Sequence, residues 1–198
     1  MLQTTALSRL NVGPIDLSLE AGQCLSLMGA SGAGKSVLLR MIADLDPHEG
    51  DAALDGLPCS AMPAPAWRRQ VTYVAADSGW WDPYVGAHFP AGTDFPTLLP
   101  TVGIAAEAAA WPVSRLSTGE RQRLSLLRAL RAGTRVLLLD EPTSGLDVES
   151  VARVEHLLRE QLARGLAILM VTHDPAQARR LASRHLELAA GRVRTVTP

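Results

Sequence analysis

Lysine is nearly missing from this sequence: Lys35 is the sole lysine, and arginine supplies the other 18 of the 19 basic residues. Cysteine is scarce as well. Cys24 and Cys59 are the only two, which excludes a disulfide framework, and neither has a partner nearby at a metal-ligand spacing. A surplus of positive charge is also absent, because 19 basic residues face 20 acidic ones. Nucleic-acid-binding surfaces usually carry such a surplus, so we expect no nucleic-acid partner.

Long apolar runs are missing too. The longest, at 136–139 and 166–171, are far shorter than the roughly 20 residues that cross a bilayer. Residues 1–10 lack the charged and then apolar pattern of a secretory signal, so we expect a cytoplasmic protein that does not itself span a membrane. The 47% of hydrophobic and 20% of charged residues in 198 positions are typical of a globular protein, and we expect one domain over 1–198.

A glycine-rich motif surrounds the single lysine. It fits the pattern G-x-x-x-x-G-K-[ST] and consists of Gly29, Ala30, Ser31, Gly32, Ala33, Gly34, Lys35 and Ser36. Glycines let successive backbone N–H groups turn inward around a phosphate, the lysine reaches the β- and γ-phosphates, and the serine hydroxyl can bind Mg²⁺. An apolar run at 24–28 predicts a strand before the loop, and 36–43 predicts a helix after it. The motif therefore predicts a nucleotide-binding site.

Two carboxylates follow a second predicted strand. Residues 136–139 are continuously apolar, which is typical of a strand buried on both faces of a parallel sheet, and Asp140 and Glu141 come next. Ligands bind at the carboxyl ends of such strands, so Asp140 is the expected partner of Mg²⁺. Alternation along the strand end lets Glu141 face the attacking water as general base. The alternative is a pair of solvated loop acids.

Three further motifs resemble those of the ATP-binding cassette (ABC) ATPases. Residues 116–120, Leu-Ser-Thr-Gly-Glu, resemble the cassette signature. Residues 142–147, ending at Asp147, resemble the segment that follows the paired carboxylates in the family. Residues 171–174 resemble the segment that holds the switch histidine, here His173. The resemblance implies an α/β P-loop NTPase fold with a mixed, largely parallel core sheet. It also implies an antiparallel β subdomain and a short helical subdomain inserted at 77–117.

The resemblance also implies how two chains would share their sites. Ser117, Gly119 and Asp147 would serve a nucleotide held by the other subunit, so that two cassettes close over two ATP molecules. For Ser117 the alternative is an ordinary N-cap of the helix that Leu124, Leu127 and Leu130 predict at 120–131. His173 would contact the γ-phosphate and orient the attacking water, whereas a lone histidine is usually structural.

The function that the resemblance implies is the ATPase subunit of an ABC transporter. Its cofactors would be ATP and Mg²⁺, and its partners a second cassette subunit, forming a homodimer, and a separate transmembrane permease. It would lie at the inner face of the cell membrane through that permease. The alternatives are a soluble cassette acting on nucleic acid or ribosomes and a poorly hydrolytic regulatory cassette.

Two contacts of the family pattern are missing. The family's glutamine after the strand at 71–74 is replaced by Ala76, and Asp77 is the candidate to bind Mg²⁺ in its place, unless it caps a following helix. The family also stacks adenine on an aromatic residue, but none occurs in 1–29. Leu7 or Leu10 is then left to contact the base, and selectivity for ATP over GTP stays open.

The segment 77–117 is short for the family's helical subdomain. It holds a group of aromatic residues, either its own core or anchors for a transmembrane subunit: Trp80, Trp81, Tyr84, Phe89 and Phe95. Four prolines, at 83, 90, 96 and 100, argue against long helices there. Elsewhere, 149–164 is predicted as an amphipathic helix and 184–188 with 193–196 as a hairpin. In the family's fold the strands at 15–19, 51–54 and 71–74 would join an antiparallel sheet.

Overall fold

The computed structural model describes residues 1–197 as two sheets with helices packed around them. The first sheet is antiparallel, has the strand order β2-β1-β4-β5, and consists of β1 (Leu2–Arg9), β2 (Val12–Leu19), β4 (Glu49–Leu54) and β5 (Leu57–Pro58). The second sheet has the order β10-β9-β3-β8-β7-β6. Its strands are β3 (Cys24–Met28), β6 (Val71–Val74), β7 (Val136–Asp140), β8 (Ala167–Val171), β9 (Arg184–Ala189) and β10 (Arg192–Val196).

The six-stranded sheet is parallel except at one edge. β9, β3, β8, β7 and β6 pair in parallel, and only β10 pairs antiparallel with β9. The predicted α/β class with a mixed core sheet and an antiparallel subdomain is therefore confirmed. The assignment of 71–74 to the antiparallel sheet is wrong: β6 lies beside β7 in the core sheet. The turn signals around this strand identify its ends but not its neighbour, which comes from a segment more than 60 positions away.

The helices fill both faces of this sheet. They are α1 (Lys35–Ile42), α2 (Ala64–Gln70), α3 (Phe95–Leu98), α4 (Thr118–Ala129), α5 (Val148–Ala163) and α6 (Pro175–Leu181). One face of the sheet, with Leu27 and Leu138, packs in a cluster with α1 and the antiparallel sheet. The other face, with Leu139 and Met170, packs in a second cluster with α4, α5 and the segment 77–117. Burial on both faces explains why the first four residues of β7 and all of β8 are apolar.

The segment 77–117 contains only short helical pieces. Besides α3 it forms 3₁₀ turns at Val85–His88, Leu99–Val102, Ala106–Ala110 and Val113–Arg115. Pro96 and Pro100 lie at the starts of two of these pieces, where a missing N–H costs nothing. Phe89 is buried in the second cluster, as the core alternative predicts, while Trp81 and Tyr84 are 72% and 57% exposed. Among residues 1–197, no helix is long and apolar enough to cross a bilayer.

Candidate active site

The glycine-rich loop joins the end of β3 to the start of α1 at Lys35, as the sequence predicts. Two of its glycines are required by space as well as by conformation. Gly29 has φ +147° and Gly34 has φ +100°, and a Cβ on either would collide, with the Leu188 carbonyl oxygen and with the side chain of Val12 respectively. The loop is thus held between β9 and the start of β2.

The Lys35 side chain folds back over this loop. Its ammonium group donates hydrogen bonds to the carbonyl oxygens of Gly29 at 2.8 Å and Ala30 at 2.9 Å, and the residue is only 7% exposed. A buried cation beside the N-terminus of α1 makes this loop an attractive place for an anion. Ser36, the next residue, is exposed, so its hydroxyl is available to a ligand.

Asp140 is the last residue of β7 and is 7% exposed. Among the described residues its carboxylate accepts one side-chain hydrogen bond, from the hydroxyl of Tyr73 at 2.9 Å. Tyr73 lies on the neighbouring strand, opposite Leu138. Burial, and then the nearby Asp140 carboxylate, raise the pKa of the Tyr73 hydroxyl well above its usual range, so it stays protonated and donates. Sequence reasoning missed Tyr73, although the correct pairing of 71–74 with 136–139 would have revealed it.

Glu141 and His173 come together at the carboxyl ends of the parallel strands. Glu141 Oε1 lies 2.9 Å from His173 Nε2, and both side chains are partly exposed. They line a cavity of about 350 Å³ with Thr143, Ser144, Leu146, Val151, Thr172 and Asp174. The prediction that strand alternation orients the Glu141 side chain is wrong. β7 ends at Asp140, and Glu141 turns away with φ +51°, a left-handed conformation that is strained for a side-chain-bearing residue.

Two buried glutamines, neither of which the sequence analysis identified, make hydrogen bonds to the segments that follow β7 and β8. Gln122 of α4 donates from its side-chain amide to the Glu141 carbonyl oxygen at 2.7 Å. Gln177 of α6, fully buried, donates to the Thr143 hydroxyl and accepts from the Thr172 hydroxyl, both at 2.8 Å. Glutamine in an amphipathic helix looks like a surface residue, so the sequence carries no signal for either contact.

Ser117 is the N-cap of α4. Its hydroxyl accepts from the Glu120 N–H at 3.2 Å, and the Ser117 N–H donates to the Glu120 carboxylate at 2.8 Å, which completes a capping box. Gly119 packs against Leu146, where an added Cβ would lie 3.0 Å from the leucine side chain. The signature segment is therefore adjacent to the turn that carries Asp147.

Asp147 is the N-cap of α5. Its carboxylate accepts hydrogen bonds from the Ser150 N–H and hydroxyl, both at 2.8 Å, and these donors lower its pKa. In the described chain, no hydrogen bond links Ser117, Gly119 or Asp147 to the loop 29–36. These three residues are exposed or partly exposed, whereas the loop, Asp140, Glu141 and His173 converge at one edge of the core sheet.

The two departures from the family pattern also have structural outcomes. Ala76 and Asp77 are exposed in a bend after β6, and no helix begins there, so the capping alternative for Asp77 is wrong. Leu7 is fully buried in the core and is therefore excluded as a contact for the base. Leu10 is 85% exposed in the turn between β1 and β2, two residues before the Val12 that touches Gly34.

Comparisons with known proteins agree with this arrangement. A family model described as "ABC transporter" matches residues 12–144. The aliphatic sulfonates import ATP-binding protein SsuB of Mycobacterium sp. (strain MCS) is 40% identical over 90% of this chain and 74% of its own length. A second such protein, SsuB 2 of Agrobacterium fabrum, is 35% identical over 90% of this chain and 70% of its own length.

A solved structure has the same fold. An ATP-binding cassette described as a dimer in a post-hydrolysis state, bound to ADP and Pi, superposes with a TM-score of 0.84. The match covers 100% of this chain and 98% of that one at 22% identity. The fold likeness and the family match agree with the resemblance seen in the motifs. The chain belongs to the ABC transporter family and is an ATP-binding subunit with ATPase activity.

Proposed function

We propose that this chain, as one domain over residues 1–198, closes with a second copy over two ATP molecules and hydrolyses them to drive a separate transmembrane subunit. One observation carries the proposal. The loop 29–36 follows β3, Asp140 ends β7 and His173 follows β8, and these three strands are parallel neighbours. Their carboxyl ends meet where open α/β sheets bind ligands.

Within this site the loop 29–36 would hold the phosphates of ATP, with Lys35 moving from its own loop carbonyls to the β- and γ-phosphates. The residues present also fit Mg²⁺. The Ser36 hydroxyl and the Asp140 carboxylate are hard oxygen donors of the kind this ion prefers. No cluster of three or more His, Cys, Asp or Glu residues able to hold a metal occurs in 1–197, so the phosphates would complete the ligand set. Asp77 is the proposed substitute for the missing glutamine. When bound, the ion neutralises phosphate charge.

Hydrolysis would depend on the Glu141–His173 pair. In this proposal the Glu141 carboxylate accepts a proton from the attacking water. The His173 ring, 2.9 Å away, keeps that carboxylate in place and assists at the γ-phosphate. The Gln122 contact to the Glu141 carbonyl connects this pair with α4, whose N-terminus carries the signature.

The proposed dimer is supported by the separation, within one chain, between the signature residues and the loop 29–36. Ser117 and the Gly119 N–H lie at the N-terminus of α4, a twelve-residue helix that offers an anion site, but make no hydrogen bond to the loop 29–36. A second chain placed head to tail would bring its bound γ-phosphate to this helix. Asp147, adjacent through the Gly119–Leu146 contact, would then lie at the interface between the two copies.

The transmembrane partner would dock at a second cavity, of about 280 Å³, which is lined by residues of β6 and α4 among others. Trp81 lines it together with Arg128 and Arg131, and none of its lining residues is acidic in the part of the chain that the structure describes. The Arg128 guanidinium lies over the Trp80 and Trp81 rings, and the buried Ser125 hydroxyl has no partner among the described residues. These features favour a cytoplasmic segment that carries one acidic side chain flanked by apolar ones.

The relatives' names describe import of aliphatic sulfonates. We accordingly propose the transmembrane subunit of an importer as the partner, with this chain at the inner face of the membrane through it. The nucleic-acid and ribosome alternative has no support in the net charge of −1.

The test is affinity purification of tagged Glu141→Gln protein from detergent-solubilised membranes in ATP, read by mass spectrometry. The same background with Trp81→Ala and Arg131→Glu removes the docking features, while Arg192→Glu, on the exposed side of β10, is the matched control. We expect one polytopic membrane protein with the parent and the control but not with the docking variant. Recovery of the chain alone, or of ribosomal proteins, would contradict the transporter proposal. Equal recovery with the docking variant would contradict only the docking site.

A further inference from the structure

Tyr73 contacts the proposed metal ligand Asp140 from the neighbouring strand β6, through the one side-chain hydrogen bond that this carboxylate accepts among residues 1–197. β6 and β7 are paired in parallel with Tyr73 opposite Leu138, and Asp140 is two positions further along on the same face. A tyrosine side chain spans about the distance of two strand residues, roughly 6.6 Å. Its hydroxyl accordingly ends 2.9 Å from Asp140 Oδ2.

We propose that Tyr73 is a positioning residue: its hydroxyl fixes the Asp140 carboxylate so that the second oxygen faces the Mg²⁺ site. This inference rests on the proposed function, because it assumes that Asp140 serves the metal. Tyr73 itself touches neither metal nor nucleotide in this proposal.

The surroundings of the hydroxyl support this role. Among the described residues, Asp140 Oδ2 is the single hydrogen-bond partner of the hydroxyl. Arg40, the nearby cation, is already paired with Asp46 through two hydrogen bonds of 2.9 and 2.7 Å, so it does not compete for Asp140. The Tyr73 ring packs against the first core cluster, which restricts its motion. A neutral donor on a rigid ring orients a carboxylate without adding charge to the metal site.

The Tyr73 contact also connects β6 with the proposed metal site. Ala76, in the place of that residue, has no polar side chain and is exposed after the end of β6. Tyr73 lies three residues earlier and supplies a polar contact from the same strand to the metal-binding carboxylate. β6 is thereby connected to the metal site through the Asp140 ligand, in addition to the role proposed for Asp77.

Tyr73→Phe tests this because it removes the hydroxyl and keeps the ring. The matched control is Tyr84→Phe, since Tyr84 is 57% exposed and its hydroxyl makes no hydrogen bond in the described chain. Both are made in the Glu141→Gln background, where Mn²⁺ binding to the protein–ATP complex is measured by electron paramagnetic resonance. We expect Tyr73→Phe to weaken Mn²⁺ binding about tenfold. Fluorescent ATP bound in EDTA should be unchanged within about twofold, and Tyr84→Phe should match the parent.

Turnover is measured separately with the native Glu141. The Mg²⁺ concentration for half-maximal rate should rise about tenfold in Tyr73→Phe, while the rate at saturating Mg²⁺ recovers to within about twofold of wild type. A merely structural defect would lower that saturating rate as well, and this result would overturn the positioning role.

Asp140→Asn separates the two levels of the argument. If Asp140→Asn binds Mn²⁺ as tightly as the parent, the proposed metal role of Asp140 is wrong and the role of Tyr73 falls with it. If Asp140→Asn weakens binding but Tyr73→Phe matches the parent, the proposed function stands and the inference about Tyr73 alone is overturned.

Discussion

Nε2 of the His173 imidazole lies 2.9 Å from Oε1 of the Glu141 carboxylate. The contact follows from strand register, because Asp140 at the end of β7 is paired with Val171 at the end of β8. Glu141 lies in the segment directly after β7, and His173 lies in the segment directly after β8. The Glu141 N–H donates to the Val171 carbonyl oxygen at 3.1 Å, which fixes the turn. A glutamate held with φ +51° at this point stores strain that regular strand geometry would avoid, as is frequent at functional sites.

Glu141→Gln is expected to bind ATP as wild type does but to turn over at least about 100-fold more slowly. An amide keeps the size of the side chain but cannot accept a proton from water, and general base catalysis is typically worth about 10²- to 10⁴-fold. Fluorescent ATP binding and phosphate release measure the two properties. Glu149→Gln, an exposed acid in the first turn of α5, is the control. An undiminished kcat would remove the base assignment.

Much of the fold could be predicted from local patterns. The strands at 24–28 and 136–139, the helices after the glycine-rich loop and after Ser117, and the terminal hairpin agree with the structure within about two residues. Their signals are local: continuous apolar runs, caps and glycine stops. The loop 29–36 and the acids at 140 and 141 could be proposed as site residues for the same reason, since each motif is contiguous in the sequence.

What could not be predicted depends on contacts between distant segments. Tyr73 is 67 positions from Asp140, and Gln122 is 19 positions from the Glu141 carbonyl that it holds. Which strand lies beside β6 is decided by the packing of both sheet faces, which the pattern of β6 itself does not record. The backbone turn at Glu141 was missed as well, because nothing in the residue type favours a positive φ.

Ser117→Asp is expected to abolish the ATP-dependent dimer without unfolding α4. Aspartate is as good an N-cap as serine, but its charge would face the γ-phosphate of the second chain, at a cost of about 3 kcal/mol, or on the order of 100-fold in dimer affinity. Ser117→Asn caps the helix without the charge and is the matched comparison. Light scattering in the Glu141→Gln background with ATP measures the doubling of the 21.1 kDa mass. If both variants dimerise alike, Ser117 does not face a phosphate and is only a cap.

Leu10→Tyr is expected to tighten binding of both ATP and GTP about fivefold. Leu10 is 85% exposed, two residues before the Val12 that lies against Gly34, and in this proposal an aromatic ring there would stack on the base for about 1 kcal/mol. Stacking tolerates any base, so the ratio between the two nucleotides should change little. Leu57→Tyr, on the exposed strand β5, controls for a general effect of surface tyrosine. Unchanged affinities in Leu10→Tyr would place the base elsewhere.

Asp147→Asn is expected to destabilise the protein at neutral pH and to lose this effect in acid. The Ser150 N–H and hydroxyl lower the pKa of Asp147 in the folded chain, so the carboxylate stabilises the fold above its ordinary pKa of about 4. As pH falls through the folded pKa, both states take up the proton and the contribution disappears. The difference in unfolding free energy between wild type and variant should therefore be largest near pH 7 and should shrink towards pH 3.

Urea unfolding followed by circular dichroism at pH 7, 5, 4 and 3 measures this difference. Asp77→Asn is the matched control, because the Asp77 carboxylate is exposed and accepts no hydrogen bond within residues 1–197. Its effect on the free energy of unfolding should be small at every pH. An Asp147→Asn variant as stable as wild type at every pH would mean that the Ser150 donors act on the amide oxygen as well as on the carboxylate. In that case Asp147 would stabilise α5 through geometry alone, without a contribution from its charge.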